Sequence, residues 1–485
     1  MPLSRRLTTG LGIAAATTLA AILAAPLTVV AAPAPAHAAA ARDAASWLAG
    51  EFTDGSLPGP FAPEDWGLTI DGLVALSATG VDAPTRQAAT AQVAAHVRSY
   101  NSFDDWGIEG FTDGGATAKL LYAASAAGAD PTNFGGYDLR AETLSLIAGA
   151  DAGHQRGRIT SRTTADSGPD ASNTFDQSFA VLGLARSGDL PQDTVDFLIR
   201  QQCAAGGFRL YPDTADGPSP SCDEQPGATL DVDSTAMAVQ ALLAAAEDGA
   251  TGAGDAARKG AGWLVAQQHT DGSFGGSGPT TGANSNSTGL AGQALAAAGR
   301  DDEAARAGEA LAALQLTAGN GGAASADAGA IAYNTEGLTA AVAAGITDTD
   351  RDQWRRATAQ ALLGLAQVPL GRIGLDPPPT MSPQPTPTGT TSPTTAPPTV
   401  SPTATASPTP TDTVSPTPSV TSPPGTPAPT TAAPTTAAAP STTPAAPGLG
   451  GLPTTGAAIG SYLLVALLLV GGGVTLLVLG RRRAG

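Results

Sequence analysis

The chain has 485 residues, a formal net charge of −18 and an aromatic content of 4%. Lysine occurs only as Lys119 and Lys259, and residues 39–375 carry no basic stripe, which excludes nucleic acid as an expected partner. The acidic charge suits a soluble exported protein and identifies no ligand.

The first 38 residues have the three parts of an export signal. Arg5 and Arg6 form a positively charged start, an apolar stretch follows over residues 11–32, and Ala36-His37-Ala38 fits a small-x-small cleavage site. We therefore predict a signal peptide at residues 1–38. General secretion and twin-arginine export are both open, and the residues after Arg6 favour general secretion.

Residues 39–375 carry a repeated two-part pattern. One part is an amphipathic helix that ends in a Gly-aromatic turn, as in Gln202…Gly206…Phe208. The other part is an Ala-rich helix that follows Asp or Asn beside Ser, Thr or Gly, residue types that are good N-caps. Starts of this kind are Asp71, Asp113, Asp176, Asp233, Asn286 and Asn334.

The repeat predicts two layers of helices. A spacing of about 50 residues gives six Ala-rich helices that alternate with six or seven amphipathic helices. Small residues on nearly all faces indicate helices packed on both sides, whereas a charged face indicates a helix open to solvent. We therefore predict an all-α (α/α)6 toroid over residues 39–375.

The two cysteines have two interpretations. Cys203 and Cys222 in an exported chain predict a disulfide, which would stabilise the fold by about 3 kcal/mol. The run from Cys222 to Gln225 also resembles the Cys-x-Glu-Gln motif of complement-like thioester domains, which implies an acyl trap between Cys222 and Gln225. Pro226-Gly227 follows where those families start a helix, so the disulfide is favoured.

Residues 376–447 consist almost entirely of Pro, Thr, Ser and Ala. A segment without aromatic residues cannot offset its ordering entropy by burial, so we predict a disordered stalk. At the polyproline-II rise of about 3.1 Å per residue it could reach about 200 Å. Its Thr and Ser side chains are candidate sites for O-linked glycans.

Residues 448–485 have three parts in a fixed order. Leu452, Pro453, Thr454, Thr455 and Gly456 are followed by an apolar span at residues 457–480 and by Arg481-Arg482-Arg483. This order resembles the LPxTG sorting signal of Gram-positive surface proteins. The resemblance implies that a sortase cleaves after Thr455 and joins its carboxyl to peptidoglycan. It also implies that the membrane helix is transient and that the protein resides in the cell wall.

The repeated turn, followed by Asp231-Val232-Asp233-Ser234-Thr235-Ala236, resembles the prenyltransferase and squalene-cyclase repeat over about residues 41–367. That resemblance implies a cavity at the mouth of the inner helices. The residues then expected at one mouth are Asp71, Asp113, Asp176, Asp231, Asp233, Asn286, Asn334 and Glu336, with Asn173 and Asn284 beside them.

The Asp-x-Asp pair leaves two interpretations open. It is similar to the acid motif of class II terpenoid cyclases, which implies Asp233 as proton donor and Asp231 as its neighbour. The motif's last acid is replaced by Ser234, and few aromatic residues are present to stabilise a carbocation. We therefore favour Asp233 as an ordinary N-cap, equivalent to Asn286 and Asn334.

Protein prenylation would need a zinc site of Asp, Cys and His, and no His lies in such a cluster. We expect no metal and no cofactor. The favoured function is a ligand-binding or adhesion module on the cell wall, with sortase and peptidoglycan as partners and an unknown ligand at the toroid mouth.

Overall fold

The computed structural model describes residues 37–60, 62–212, 221–225 and 227–375. The predicted signal peptide up to residue 36, the stalk and the sorting signal with its membrane span lie outside these residues. Within the described ranges, no helix combines the length and the apolar character that crossing a bilayer requires.

The described residues form fourteen α-helices and one two-stranded sheet. The strands β1 (Phe208–Arg209) and β2 (Leu230–Asp231) are antiparallel. The helices are α1 (Ala38–Gly50), α2 (Trp66–Thr79), α3 (Ala83–Ala95), α4 (Val97–Asn101), α5 (Gly114–Ala126), α6 (Leu139–Ser145), α7 (Thr174–Ser187), α8 (Gln192–Arg200), α9 (Val232–Glu247), α10 (Ala253–Gln267), α11 (Ser285–Ala297), α12 (Asp301–Ala313), α13 (Thr335–Ala344) and α14 (Arg351–Ala366).

Six of these helices form a closed inner ring. Helices α2, α5, α7, α9, α11 and α14 pack against one another in this order, and α14 packs back against α2. Small residues permit the close approach: a side chain on Gly289 of α11 would collide with the backbone of Gln360 on α14. The described residues are therefore an all-α toroid, as the alternating pattern predicts.

Six helices form the outer ring: α1, α3, α6, α8, α10 and α12 each pack against one or two inner helices. In α12 the buried residues are Ala304, Ala307, Gly308 and Leu311, which repeat at helical spacing on one face. Three glutamines after outer helices donate from Nε2 to a carbonyl of the next outer helix: Gln202 to Ala256, Gln268 to Glu303, and Gln315 to Ala40. The last of these reaches α1, so the outer ring closes as well.

In four of the six inner helices, α2, α9, α11 and α14, a threonine fixes a preceding turn to the helix. The amides of Leu57, Phe208, Phe274 and Ile331 donate to the hydroxyls of Thr69, Thr235, Thr288 and Thr358, each at 2.9 Å. In α2, α9 and α11 the same hydroxyl donates to the carbonyl of the N-cap residue, which is Asp65, Asp231 or Asn284, respectively. These bonds explain why the turn and the helix start recur together in the sequence.

Helix α13 departs from the prediction. Its N-cap is Asn334, whose Oδ1 accepts from the Gly337 amide. Of its own residues only Ala341 is buried, and it packs on the 3-10 segment Gly322–Asp327. The prediction that Asn334 begins an inner helix is therefore wrong, and α14 takes the sixth inner position. A capping residue marks where a helix begins and does not specify the layer that the helix joins.

The ring is closed by ion pairs between α14 and the first repeat. Glu51 accepts from Arg351 at 2.6 Å and from Arg355 at 2.9 Å. Arg356 donates to Asp65, the N-cap of α2, and to Asp352 on its own helix. These carboxylates are largely buried, so the pairs hold two chain-distant repeats together through charge-assisted hydrogen bonds.

One end of the toroid is covered by residues 367–375, which we call the closing segment. Tyr122, Arg186, Gln240 and Gln293 from four successive inner helices all bond its backbone. Arg186 by itself makes three of these bonds, because its guanidinium donates to the carbonyls of Leu370, Gly371 and Ile373. The closing segment therefore lies across the C-terminal ends of the inner helices.

Cys203 and Cys222 form a disulfide, with Cα atoms 4.9 Å apart and a sequence separation of 19. Replacing both cysteines with serine is expected to lower the free energy of unfolding by about 3 kcal/mol, because the unfolded chain regains the entropy of that loop. Urea denaturation of the double variant measures this loss, with the reduced parent chain as the matched control. An unchanged urea midpoint would contradict the expectation.

Candidate functional site

Contacts with the closing segment identify which side of four inner helices, α5, α7, α9 and α11, faces the toroid axis. Gln240 of α9 and Gln293 of α11 both bond this segment. Seven residues make two helical turns, about 10 Å, so the residue seven positions earlier lies on the same face at the other end. On α9 and α11 those residues are Asp233 and Asn286.

The same face of α7 and α5 carries two more large side chains, and the Phe179 ring contacts that of Tyr122, with centroids 5.9 Å apart. Phe179 precedes the segment-binding Arg186 by seven residues, and Lys119 precedes Tyr122 by three. Lys119 Nζ lies 2.6 Å from a carboxylate oxygen of Asp71 on α2. We call the axis-facing residues Asp71, Lys119, Phe179, Asp233 and Asn286 the mouth.

Part of the mouth is accessible to solvent. Asp71 and Phe179 are partly exposed, although most residues of their helices are buried. Lys119 Nζ is 5.9 Å from the ring centroid of Tyr100 and 6.0 Å from that of Phe179, and it donates to the Gly67 carbonyl. Burial lowers the pKa of Lys119, but the nearby Asp71 carboxylate outweighs this effect and the pKa is raised.

Asp233 is not the N-cap of its helix. That role belongs to Asp231, whose Oδ2 accepts from the amide and the hydroxyl of Ser234 at 2.7 Å. The favoured interpretation of Asp233 as an ordinary cap is therefore wrong. Asp233 sits two residues into α9, is 6% exposed, and its Oδ1 has no hydrogen-bond partner among the described residues.

Burial raises the pKa of Asp233 to about 7, the charge of Asp231 adds to the rise, and the Ser287 hydroxyl partly offsets it. Tyr333 lies close enough for the charge on Asp233 to contribute to a raised pKa of its phenol, after burial as the main cause. A carboxyl that titrates near neutral pH can act as a proton donor or as the counter-ion of a ligand.

Asn286 repeats the arrangement of Asp233 one helix further along the ring. Asn284 caps α11 through the Ser287 amide, so Asn286 is not a cap either. Asn286 is 4% exposed, and within the described chain its Oδ1 lacks a hydrogen-bond partner. Asn334 and Glu336, expected at the same site, begin the outlying α13, and Glu336 is exposed.

Asp113 and Asp176 form a second acidic pair at the same end of the ring. Asp113 caps α5, while Asp176 Oδ2 accepts from the Asn173 amide in a capping box at the start of α7. Burial raises the pKa of Asp176 well above its usual value, and the neighbouring Asp113 carboxylate raises it further. Asp176 Oδ1 has no partner in the described ranges.

A glycine provides the space for this pair, because a Cβ on Gly115 would collide with the Asp176 carboxylate. Gly115→Ala is expected to cost about 1–2 kcal/mol of unfolding free energy, since it displaces Asp176 from the capping box. Gly262→Ala on α10, where a Cβ meets no atom within 4 Å, is the matched control and should gain up to about 1 kcal/mol. Equal effects of both changes in urea denaturation would rule out this packing argument.

The thioester alternative is wrong, because the Cys222 sulfur is bonded to Cys203 and the Gln225 side-chain oxygen accepts from Arg209 at 2.5 Å. No group of three His, Cys, Asp or Glu side chains that could hold a metal occurs in the described part of the chain. The mouth residues that sequence reasoning missed are Lys119 and Phe179. The sequence did contain a signal for them: a large side chain within an Ala-rich, closely packed helix requires open space beside it, as at the axis of the ring.

No protein-family model matches the sequence, and no curated protein sequence matches it either. Among solved structures, the unsaturated glucuronyl hydrolase of Bacillus sp. GL1 is 13% identical, with a TM-score of 0.45 over 70% of this chain and 96% of that chain. An inactive α-1,6-mannanase variant of Salegentibacter is 12% identical, with a TM-score of 0.46 over 70% and 100%.

The ent-copalyl diphosphate synthase of Streptomyces platensis is 19% identical, with a TM-score of 0.37 over 63% of this chain and 52% of that chain. Similarities this weak carry no argument about activity or substrate. The helix contacts of this chain themselves form the toroid.

Proposed function

We propose that the toroid is a ligand-binding module displayed at the cell wall, with a small polar molecule held in the mouth. The observation that carries the proposal is the pair of buried oxygens, Asp233 Oδ1 and Asn286 Oδ1, that lack partners among the described residues. A buried polar atom without a hydrogen bond costs about 1–3 kcal/mol. Two such atoms on the same side of adjacent inner helices favour a site completed by a ligand.

The position of the closing segment supports display. The described chain ends at Leu375 in the segment that covers the end opposite the mouth. A stalk that continues from this point leaves the toroid at its closed end. If the sorting signal attaches the stalk to peptidoglycan, the attachment is at the closed end and leaves the mouth free for molecules in the surroundings.

Binding is tested by saturation-transfer NMR on the full chain with three probes: agmatine for organic cations, glucose for neutral polyols and acetate for anions. Asn286→Trp fills the mouth and should abolish the signal of any probe that binds there. Thr339→Trp, at an exposed position of α13 outside the mouth, should leave that signal unchanged. If none of the three probes gives a signal with the folded parent chain, the proposed function is wrong.

Anchoring is tested separately by cell fractionation in a Gram-positive host with an active sortase. The parent chain is expected in the wall fraction, while Thr455→Ala should shift it to the membrane fraction, because the bond between Thr455 and Gly456 is no longer recognised. Thr454→Ala is the matched control, since the LPxTG pattern accepts any residue there. A Thr455→Ala chain that remains in the wall would contradict the proposal.

A second candidate function is acid catalysis by Asp233, favoured by its axis-facing position and its pKa of about 7. The resemblance to class II cyclases makes squalene and geranylgeranyl diphosphate the appropriate probes. A cyclic product that Asp233→Asn abolishes, detected by gas chromatography, would support this function over simple binding. Unchanged substrates after prolonged incubation would exclude cyclisation of these two.

A further inference from the structure

We propose that the mouth binds the protonated amine or guanidinium group of a small organic cation, with the Asp233 carboxylate as counter-ion and Asn286 as a hydrogen-bond acceptor. This inference rests on the proposed function, because it names the class of ligand for the same site. It is carried by the chemistry of the partnerless atoms and by an arrangement that the mouth already contains.

Gln240 Nε2, a donor without a partner in the described part of the chain, lies beside the closing segment, and the partnerless hydroxyls of Ser285 and Ser287 can donate or accept. The partnerless amide and carboxylate oxygens of the inner helices are acceptors only. Besides Asp233 Oδ1 and Asn286 Oδ1, they include Asp176 Oδ1 on α7 and Gln360 Oε1 on α14, which are at most 6% exposed. Acceptors are satisfied by N–H or O–H donors and not by an anion. A primary ammonium or a guanidinium carries several N–H donors and the charge that opposes a carboxylate.

One side of the mouth already holds an ammonium group. Lys119 Nζ lies against the Asp71 carboxylate, a backbone carbonyl of α2 and the faces of Tyr100 and Phe179. Asp233, Asn286 and Tyr333 provide the same kinds of group on the other side: a carboxylate, an amide oxygen and an aromatic ring. Among the described residues, no Lys or Arg forms an ion pair with Asp233.

The charge at this end of the ring favours the same class of ligand. The carboxyl groups at the starts of the inner helices are Asp65, Asp71, Asp113, Asp176, Asp231 and Asp233. They outnumber the basic side chains beside them, of which Lys119 pairs with Asp71, Arg356 pairs with Asp65 and Arg158 lies near Asp176. An excess of carboxylates in a partly desolvated opening attracts cations and disfavours anions. Cation–π attraction to the partly exposed ring of Phe179 would add to this effect.

The test is a calorimetric titration of the full chain with agmatine, and with glucose as the neutral alternative. The groups that face Asp233 are Asp231 at the start of its own helix, Ser287 on α11 and Tyr333 before α13. Agmatine stays positively charged throughout, so its affinity should rise about tenfold between about pH 6 and about pH 8, as Asp233 loses its proton.

Asp233→Asn should weaken agmatine binding roughly tenfold or more near pH 8 and remove the pH dependence, since a charge-assisted bond is lost. Asp348→Asn, at an exposed position between α13 and α14, controls for the loss of one negative charge. The inference is overturned if agmatine binding is unaffected by Asp233→Asn or if agmatine does not bind. Binding of glucose alone at the mouth would overturn the inference and leave the proposed function standing.

Discussion

Replacing Arg356 with methionine is expected to lower the free energy of unfolding by about 3 kcal/mol. Arg356 bonds the Asp65 and Asp352 carboxylates, whose side chains are 13% and 8% exposed. Methionine keeps much of the side-chain volume but leaves two largely buried carboxylates without their counter-ion. Because Asp65 also caps α2, the loss weakens the contact that closes the inner ring.

Urea denaturation of the full chain measures this effect. Arg258→Met is the matched control, because the side chains of the Arg258–Asp255 pair are more than 70% exposed. Exposed pairs contribute about 0–1 kcal/mol, so the control should stay close to the parent chain. Equal midpoints for the two variants would show that the ion pairs between α14 and the first repeat do not stabilise the ring.

Asp233→Asn is expected to stabilise the ligand-free protein at alkaline pH. The pKa of Asp233 rises from 3.8 in the unfolded chain to about 7 in the fold. The stability that its protonated form contributes is fully present below about pH 4 and is lost as the pH rises through about 7. At about 1.4 kcal/mol for each pH unit, the loss reaches about 4 kcal/mol by about pH 8.

Asparagine cannot ionise, so the variant should exceed the parent chain by about 4 kcal/mol in unfolding free energy near pH 8 and by much less near pH 5. Urea titrations at both pH values measure the difference, and Asp348→Asn again controls for charge. A variant that is less stable than the parent at both values would contradict the burial of Asp233 and of its partnerless Oδ1. The expected gain in stability at the cost of binding is typical of a functional site.

The fold follows from local signals in the sequence. A glutamine, a glycine and an aromatic residue before α9 and again before α11 predict a repeated turn, and the threonine bonds show why that turn recurs. Small residues predict close helix packing, and Gly289 confirms it. The exception is α13. Asn334 and the alanines that follow it repeat the local pattern of an inner helix, but whether a helix joins the inner ring depends on contacts with residues far along the chain.

The site is only partly predictable for the same reason. Asp231-Val232-Asp233 contains two aspartates that could cap α9. Because Asp231 is the cap, Asp233 lies within the helix and on its axis-facing side. Thr235 would have resolved this, because it follows Asp231 by four residues, as Thr288 follows Asn284. The ion pair of Lys119 with Asp71 joins two separate helices, and no spacing within either helix indicates it.

The most direct test of the mouth is thiol labelling of Phe179→Cys. Both native cysteines are in the disulfide, so the introduced thiol is the one reactive group of its kind. A small cationic methanethiosulfonate should modify this variant faster than an anionic one, agmatine should slow the reaction, and Leu182→Cys, at a fully buried position, should not react. A folded Phe179→Cys chain that neither reagent modifies would show that the mouth is closed and would contradict the account.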